Sequence, residues 1–253
     1  MIELKSQRQL ESMRRAGEVV GAVLELFRTQ VEPGMSTRDV DTLARKLIIK
    51  LGAKPAFIGY RGFPATVCTS VNEEVVHGIP SERKLKAGDI VGLDVGAIVE
   101  GYYADAAVTV GVGVTSPEAR DLMAVTESAL YAGIAQMRPG GRLSDISHAV
   151  EKAVEPHGYS IVRDFVGHGI GTHLHEFPEV PNYGPPGAGP VLEVGMVLAV
   201  EPMVNLGSPA VEILADGWTA VTKDRKLSAH FEHTIAITES GPEILTQSPK
   251  KSR

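Results

Sequence analysis

The chain has 253 residues, a formal net charge of −6, 43% hydrophobic residues and 22% charged ones. That length supports one large domain with its own core, and the acidic balance gives no reason to expect nucleic acid or an anionic membrane surface as a partner. A single cysteine, Cys68, excludes an internal disulfide and any cysteine-based zinc cluster, which suits a reducing, cytoplasmic setting.

Residues 6–30 carry Leu10, Met13, Gly17, Val20, Leu24 and Phe27 at helical spacing, opened by Ser6 and Gln9 as a capping box. The charged, helical N-terminus does not have the pattern of a signal peptide, and no apolar run approaches the roughly 20 residues of a membrane span. A second helix is expected from Thr37 to about Leu51, ending at Gly52. Strands follow near 65–71, 89–98 and 102–112, the last two joined by a turn at Glu100-Gly101. Helices return near 117–137 and 144–156. From about 160 the pattern is one of strands and loops, including the mobile-looking NYGPPGAGP, and 246–253 reads as a disordered tail after a single domain over 1–245.

The two halves repeat each other. EPGMSTRDVDTLARKLIIKLG at 32–52 aligns without gaps to RPGGRLSDISHAVEKAVEPHG at 138–158. Further on, Gly88 and Asp94 match Gly195 and Glu201 at the same spacing, and HGI occurs at both His77 and His168. PG followed by a helix is a common turn signal, but the matches occur in the same order, as duplication requires. Two helix–helix–strand halves closing on each other would place Asp94 and Glu201 at related positions in one cleft.

Four carboxylates sit in apolar, β-branched runs: Asp94 in IVGLDVGAIV, Asp105 in YYADAAVTV, Glu201 in VGMVLAVEPMV and Glu232 in HFEHTIAI. A buried carboxylate is costly unless it is neutralised or paired with a cation. One such acid would be read as the partner of a buried Arg or Lys. Four in similar contexts point instead to one or two divalent ions. Asp94 and Asp105 flank the hairpin turn, so they lie on neighbouring strands and need a cation between them. Between the second and third acids, GHGIGTHLHE adds His168 and His175, and carboxylates with imidazole suit Mn, Fe, Co or Zn. Around Glu232, alternation puts His230, Glu232 and Thr234 on one face. GxGxG at 167–171 lacks the crossover helix of a dinucleotide loop, and Ser81–Lys84 matches SxxK without its partner motifs. His148 and His157 read as surface residues, Cys68 as a pocket or core residue. Trp218 reads as packing that could cover an apolar substrate group near a cleft.

FVGHGIGTHLHEFPEVPNY, SVNEEVVHGIP and GWTAVTKDRKLSAHFEHTI, together with the four acids, make the chain resemble the methionine aminopeptidases, in their short bacterial type I form. The resemblance runs from about Ile2 to Leu245. It implies an α/β (α+β) pita-bread fold of pseudo-twofold halves around a central metal cleft. It also implies metal-dependent removal of the initiator methionine from nascent polypeptides when the second residue is small. Asp94, Asp105, His168, Glu201 and Glu232 fall on the family's five metal ligands. Asp105 and Glu232 would bridge two divalent ions, of Co, Mn, Fe or Zn, with Asp94 completing one and His168 with Glu201 the other. Glu201 would accept a proton, His175 would stabilise the oxyanion, and His77 would act near the scissile nitrogen.

The methionine pocket would use Phe57, Tyr60, Phe63, Cys68, Val76, Leu174 and Trp218. Phe57, Phe63, Val76 and Leu174 depart from the residues common in bacterial members but stay apolar. The chain is expected to act as a cytoplasmic monomer that meets N-termini at the ribosome near the exit tunnel, with no sequence-specific nucleic acid or membrane as a partner. Enzymes of this fold that cleave Xaa-Pro bonds usually carry an extra N-terminal domain. A non-catalytic relative that binds a partner would be expected to have lost ligands, whereas all five are present here.

Overall fold

A computed structural model describes residues 2–247. Helix α1 spans Gln7–Gln30 and starts where the sequence predicts, with Ser6 Oγ accepting from Gln9 N–H and Gln9 Oε1 accepting from Ser6 N–H. Its buried face carries Leu10, Met13, Val20, Leu24 and Phe27. Gly17 and Gly21 complete that face because the end of the chain crosses it: a Cβ at Gly17 would stand 2.3 Å from the Leu245 carbonyl oxygen, and one at Gly21 2.6 Å from that of Gln247. Thr246, expected as the first residue of a disordered tail, is instead part of this packing. Thr246 is fully buried, and its hydroxyl bonds the Thr234 N–H and His233 Nδ1. Residues 248–253 of that tail lie outside the described residues.

The first half continues with α2 (Thr37–Lys50), β1 (Lys54–Pro55), β2 (Val67–Val71), β3 (Glu74–Val76), β4 (Ile90–Val99) and β5 (Tyr102–Gly111). Strand β4 pairs with β1 and β2 along one edge and with β5 along the other, all antiparallel. Glu100 and Gly101 turn the β4–β5 hairpin with φ of 51° and 83°, the left-handed pair that a two-residue turn of matching twist requires. The second half repeats the order: α3 (Pro117–Ile134), α4 (Leu143–Val154), β6 (Ser160–Ile161), β7 (Gly167–Gly169), β8 (Glu176–Val180) and β9 (Val197–Val200). Then come β10 (Met203–Asn205), β11 (Val211–Ile213), β12 (Ala220–Thr222), β13 (Ser228–His230), β14 (His233–Thr238) and β15 (Gly241–Ile244). These build a five-stranded sheet in the order β15-β14-β9-β7-β8, and two small sheets, β13-β10-β6 and β11-β12-β3.

The duplication holds down to single hydrogen bonds. Gly34 N–H donates to Leu85 O and Leu85 N–H to Met35 O; Gly140 and Leu192 repeat this with Leu192 O and Gly141 O. Asp39 accepts from the Ser36 N–H at the start of α2, as Asp145 does from Arg142 at the start of α4. Gly88 and Gly195 share a left-handed φ of 98° and 95°.

The halves meet along β5 and the β13–β14 segment. Ala107 and Glu232 exchange two backbone hydrogen bonds. On one side Thr109 Oγ1 accepts from His230 N–H and donates to His230 O; on the other Thr234 Oγ1 accepts from Asp105 N–H and donates to Asp105 O. This joint pairs Thr109 with Thr234, Ala107 with Glu232 and Asp105 with His230, each separated by the same sequence interval. Symmetry thus relates Asp94 to Glu201 as acid to acid, but sets Asp105 against a histidine and Glu232 against an alanine.

Two further expectations are corrected. Helix α3 stops at Ile134, three residues early, because Gln136 and Met137 turn tightly onto Gly133 O and Ile134 O. NYGPPGAGP is not a loose loop. Gly187 N–H bonds Asp145 Oδ1, Ala188 N–H bonds Ser144 Oγ, and His148 Nδ1 lies 3.2 Å from Gly184 O, so His148 is half-buried under the loop.

Candidate metal and catalytic site

The β4–β5 register sets Asp94 opposite Ala107 and Asp105 opposite Gly96, so the two acids are diagonal neighbours on one face of the hairpin. Strand β7 lies between β8 and β9 and carries His168 opposite Ala199. Glu201 follows the end of β9, and Glu232 lies between β13 and β14. The five side chains converge. His168 Nε2 lies 3.5 Å from Asp105 Oδ2, 3.5 Å from Glu201 Oε1 and 3.9 Å from Glu232 Oε1. Ligand atoms of Asp105, His168 and Glu232 all fall within 4.8 Å of one another.

Asp105 and Glu232 are buried, while Asp94 and Glu201 are open only toward a cavity that all four line. Burial, reinforced by the neighbouring acids, pushes Asp94, Glu201 and Glu232 well above the usual carboxylate range. Burial pushes Asp105 up to about 6, against the pull of His175 and the Thr234 hydroxyl. The bland reading, a buried Arg or Lys beside each acid, does not hold: the ion pairs that Asp105, Glu201 and Glu232 make among the described residues are with histidines. Asp94 Oδ1 is buried and has no hydrogen-bond partner there.

Acids clustered without a base, one orphaned oxygen and one imidazole make a donor set that fits divalent first-row ions. His168 is oriented for the task. Its Nδ1 stands 3.0 Å from the Gly169 carbonyl oxygen, which accepts its proton and leaves the Nε2 lone pair facing the acids. Burial holds this ring down to about 4, so it is neutral in ordinary buffers.

The cavity measures about 570 Å³ and is lined by Phe57, Tyr60, Phe63, Cys68, Leu174 and Trp218, beside His77 and His175. Val76, expected with them, lies instead in a separate apolar cluster with Val162, Met203 and Ala220. Trp218 meets Phe63 edge-on at 5.1 Å between ring centroids. His77 is held at a left-handed φ of 62° with its ring edge-on to Phe165 at 5.3 Å. Such strain persists where the surroundings fix it, often at sites of function. Burial and His175 lower His77 to about 4; burial and His168 lower His175 likewise. Burial among acids raises the Cys68 thiol far above its usual value, which leaves it an inert wall residue.

Several participants escape sequence reasoning. Tyr60, expected only as a pocket wall, puts its hydroxyl 2.6 Å from His175 Nδ1. Lys5, 5% exposed, places Nζ 2.8 Å from Glu176 Oε2, beside His175, and Glu176 Oε1 accepts from the His173 N–H. Asn182 donates to the Glu201 carbonyl oxygen at 3.1 Å. A lysine in the first few residues was the one available signal for the Lys5 pair, and nothing in its surroundings marked it.

Residues 11–239 match the sequence model of Metallopeptidase family M24. The chain is 53% identical to methionine aminopeptidase 1 of Bacillus subtilis over 98% of its own length and all of that protein. It is 52% identical to the methionine aminopeptidase of Clostridium perfringens, over 97% and 99%. The crystal structure of methionine aminopeptidase from Thermotoga maritima superposes with a TM-score of 0.96 at 50% identity, covering 98% of this chain and 100% of that one. Prolidase from Pyrococcus furiosus gives a TM-score of 0.76 at 23% identity, covering 98% of this chain and 66% of that one, a likeness of fold alone.

Proposed function

The chain belongs to metallopeptidase family M24, among its methionine aminopeptidases, and from that membership we propose that its cavity hydrolyses the first peptide bond of polypeptides that begin with methionine. The observation that carries the reading is the convergence of Asp94, Asp105, His168, Glu201 and Glu232 in one cavity, where the ion pairs that Asp105, Glu201 and Glu232 make among the described residues are with histidines. These five residues would hold divalent metal, and four carboxylates carry enough charge for two ions. When bound, the metal would polarise the scissile carbonyl and acidify the attacking water.

The side chains do the rest. Glu201, open to the cavity, accepts the proton of the water as it adds to the carbonyl carbon, and the same proton passes to the leaving amine as the C–N bond breaks. With the Tyr60 hydroxyl donating to Nδ1, the neutral His175 ring carries its proton on Nε2 and hydrogen-bonds the oxygen that gains charge. His77, neutral and fixed against Phe165, lies on the same cavity to hydrogen-bond the scissile amide. Phe57, Tyr60, Phe63, Cys68, Leu174 and Trp218 take the methionine side chain. No helix among the described residues is long and apolar enough to cross a membrane. The reading extends to a cytoplasmic monomer acting on nascent chains at the ribosome.

The direct test is incubation of the protein and Mn(II) or Co(II) with Met-Ala-Ser and with an Ala-Pro peptide. Methionine released from the first and no cleavage of the second is the expected result. Cleavage of the Ala-Pro bond alone would transfer the chain to the Xaa-Pro enzymes.

A further inference from the structure

One imidazole beside the metal-ligating acids has no role in the steps above. His230, at the end of β13, is 3% exposed, and its Nε2 is buried without a hydrogen-bond partner among the described residues. Leaving such a group unpaired is costly, so an orphan in an otherwise paired region marks a missing interaction. The group facing it is Glu201: Nε2 lies 3.6 Å from Oε2. That is the opposite oxygen from Oε1, which lies 3.5 Å from His168 Nε2. Two imidazoles therefore address the two oxygens of one carboxylate.

The backbone of His230 is fixed on both sides. Its N–H and C=O both bond Thr109 Oγ1, and its strand partner is Met203. At 3.6 Å the pair stands just outside hydrogen-bond distance, and a small rotation of the Glu201 side chain would close it. Glu201 lines the cavity and His230 does not. The internal symmetry gives the same assignment from another direction. His230 is the counterpart of Asp105 across the Thr109–Thr234 joint, so one position supplies a cluster acid in the first half and a supporting group in the second.

We propose that His230 is a positioning residue for Glu201: its Nε2–H donates to Oε2 of the charged carboxylate and leaves Oε1 turned toward the metal-ligating cluster. A carboxylate free at both oxygens can rotate about its last torsion, whereas a charge-assisted hydrogen bond on one oxygen selects a single orientation. This rests on the reading of Glu201 as metal ligand and proton acceptor.

The test compares His230→Gln, His230→Asn and His230→Leu with the wild-type chain. Gln carries an amide nitrogen at the distance of Nε2, Asn carries one only at the distance of Nδ1, and Leu carries none. Each is freed of metal, checked for folding by its metal-free melt and titrated with Mn(II) by calorimetry. The visible spectrum of the Co(II) form is recorded, and kcat and KM are measured on Met-Ala-Ser. His230→Leu and His230→Asn are expected to bind Mn(II) about tenfold more weakly or worse, to shift the Co(II) band and to lose kcat with little change in KM. His230→Gln is expected to recover most of each.

Wild-type affinity, spectrum and kcat in folded His230→Leu or His230→Asn would overturn the proposal. So would His230→Gln as impaired as His230→Asn, since the position of the donor would then be irrelevant. Where His230→Leu does not fold, the Gln and Asn pair decides. A wild-type chain that binds no Mn(II) and releases no methionine would instead overturn the site reading beneath the proposal.

Discussion

The Tyr60 hydroxyl and His175 Nδ1 are 2.6 Å apart across a cavity whose walls come from residues 115 positions apart in sequence. Tyr60 is presented by a tight turn in which Gly59 and Gly62 both have positive φ and Phe63 N–H bonds back to Tyr60 O. With the hydroxyl as donor, that bond leaves the His175 proton on Nε2. A residue proposed for the methionine pocket would thus also set the tautomer of the group proposed to steady the developing charge.

His175→Ala is therefore expected to lose about 10²–10³ in kcat while keeping its metal, because one oxyanion donor disappears and no ligand does. Tyr60→Phe should lose about tenfold in kcat, the equivalent of one hydrogen bond, with KM for Met-Ala-Ser near the wild-type value. Steady-state kinetics beside metal analysis checks both. Loss of metal from His175→Ala would make it a ligand.

Asp94→Ala and Glu201→Ala should each abolish turnover and reduce bound metal, since each removes a charge from a cluster with no other counter-ion. Either variant with full metal content and wild-type rates would mean the ligands are assigned wrongly.

The pH dependence of metal binding has a definite sign. In the metal-free chain Asp105 titrates at about 6 and three further acids are pushed upward, so these groups hold protons that a metal must displace. His168, near 4, has already lost its proton and contributes none between pH 5 and 7. Affinity for Mn(II) is expected to fall as pH drops through 6, with protons released on binding. Calorimetry in two buffers of different ionisation enthalpy measures this release. Affinity that stays flat from pH 7.5 to 5.5 would contradict the shared raised pKa values.

The acids were legible in the sequence because each interrupts an apolar strand, a local contrast that needs no knowledge of the fold. The duplication was legible because Gly34, Gly88, Gly140 and Gly195 mark turns with positive φ, where glycine stands at fixed offsets. What escaped is long-range. The Lys5–Glu176 pair spans 171 residues and the Tyr60–His175 bond 115, and neither leaves a periodic trace. The loop at 182–190 reads as mobile from its Gly and Pro content, yet its N–H groups are satisfied by α4 side chains whose orientation only the fold supplies. Conversely, His230 differs little in sequence from any strand histidine; the orphaned nitrogen is visible only in three dimensions.

Lys5 secures the segment that carries His175. Its side chain is 1% exposed against 15% for Glu176, and Gly171 leaves room for it: a Cβ there would stand 2.4 Å from Nζ. Removing one partner of such a pair costs on the order of 3 kcal/mol. Lys5→Met and Gly171→Ala should both lower the melting temperature and reduce kcat, with the Mn(II) affinity preserved. Thermal melts and kinetics on the same preparations test this. Unchanged melting in both variants would remove the pair from the account.

Substrate choice follows from the cavity walls. Phe57, Phe63, Cys68, Leu174 and Trp218 enclose an apolar space that an unbranched, flexible thioether fills well. The space is tight at its edge. Gly96 lies under Phe57, where a Cβ would be 2.8 Å from Cε1, so Gly96→Ala should push that ring inward and raise KM for methionine substrates. On the proposed reading the residue after methionine would lie near His77, Gly167 and His168, which line the cavity, and is expected to be small. Besides the four cluster acids, Glu176 and Glu179 line the cavity against one arginine among the described lining residues, Arg61, which favours a free, charged N-terminus. Met-Ala, Met-Gly and Met-Ser peptides should be cleaved efficiently, Met-Lys and Met-Phe poorly, and acetylated Met-Ala not at all. Comparable kcat/KM for Met-Ala-Ser and Met-Phe-Ser, or turnover of the acetylated peptide, would count against this picture of the pocket.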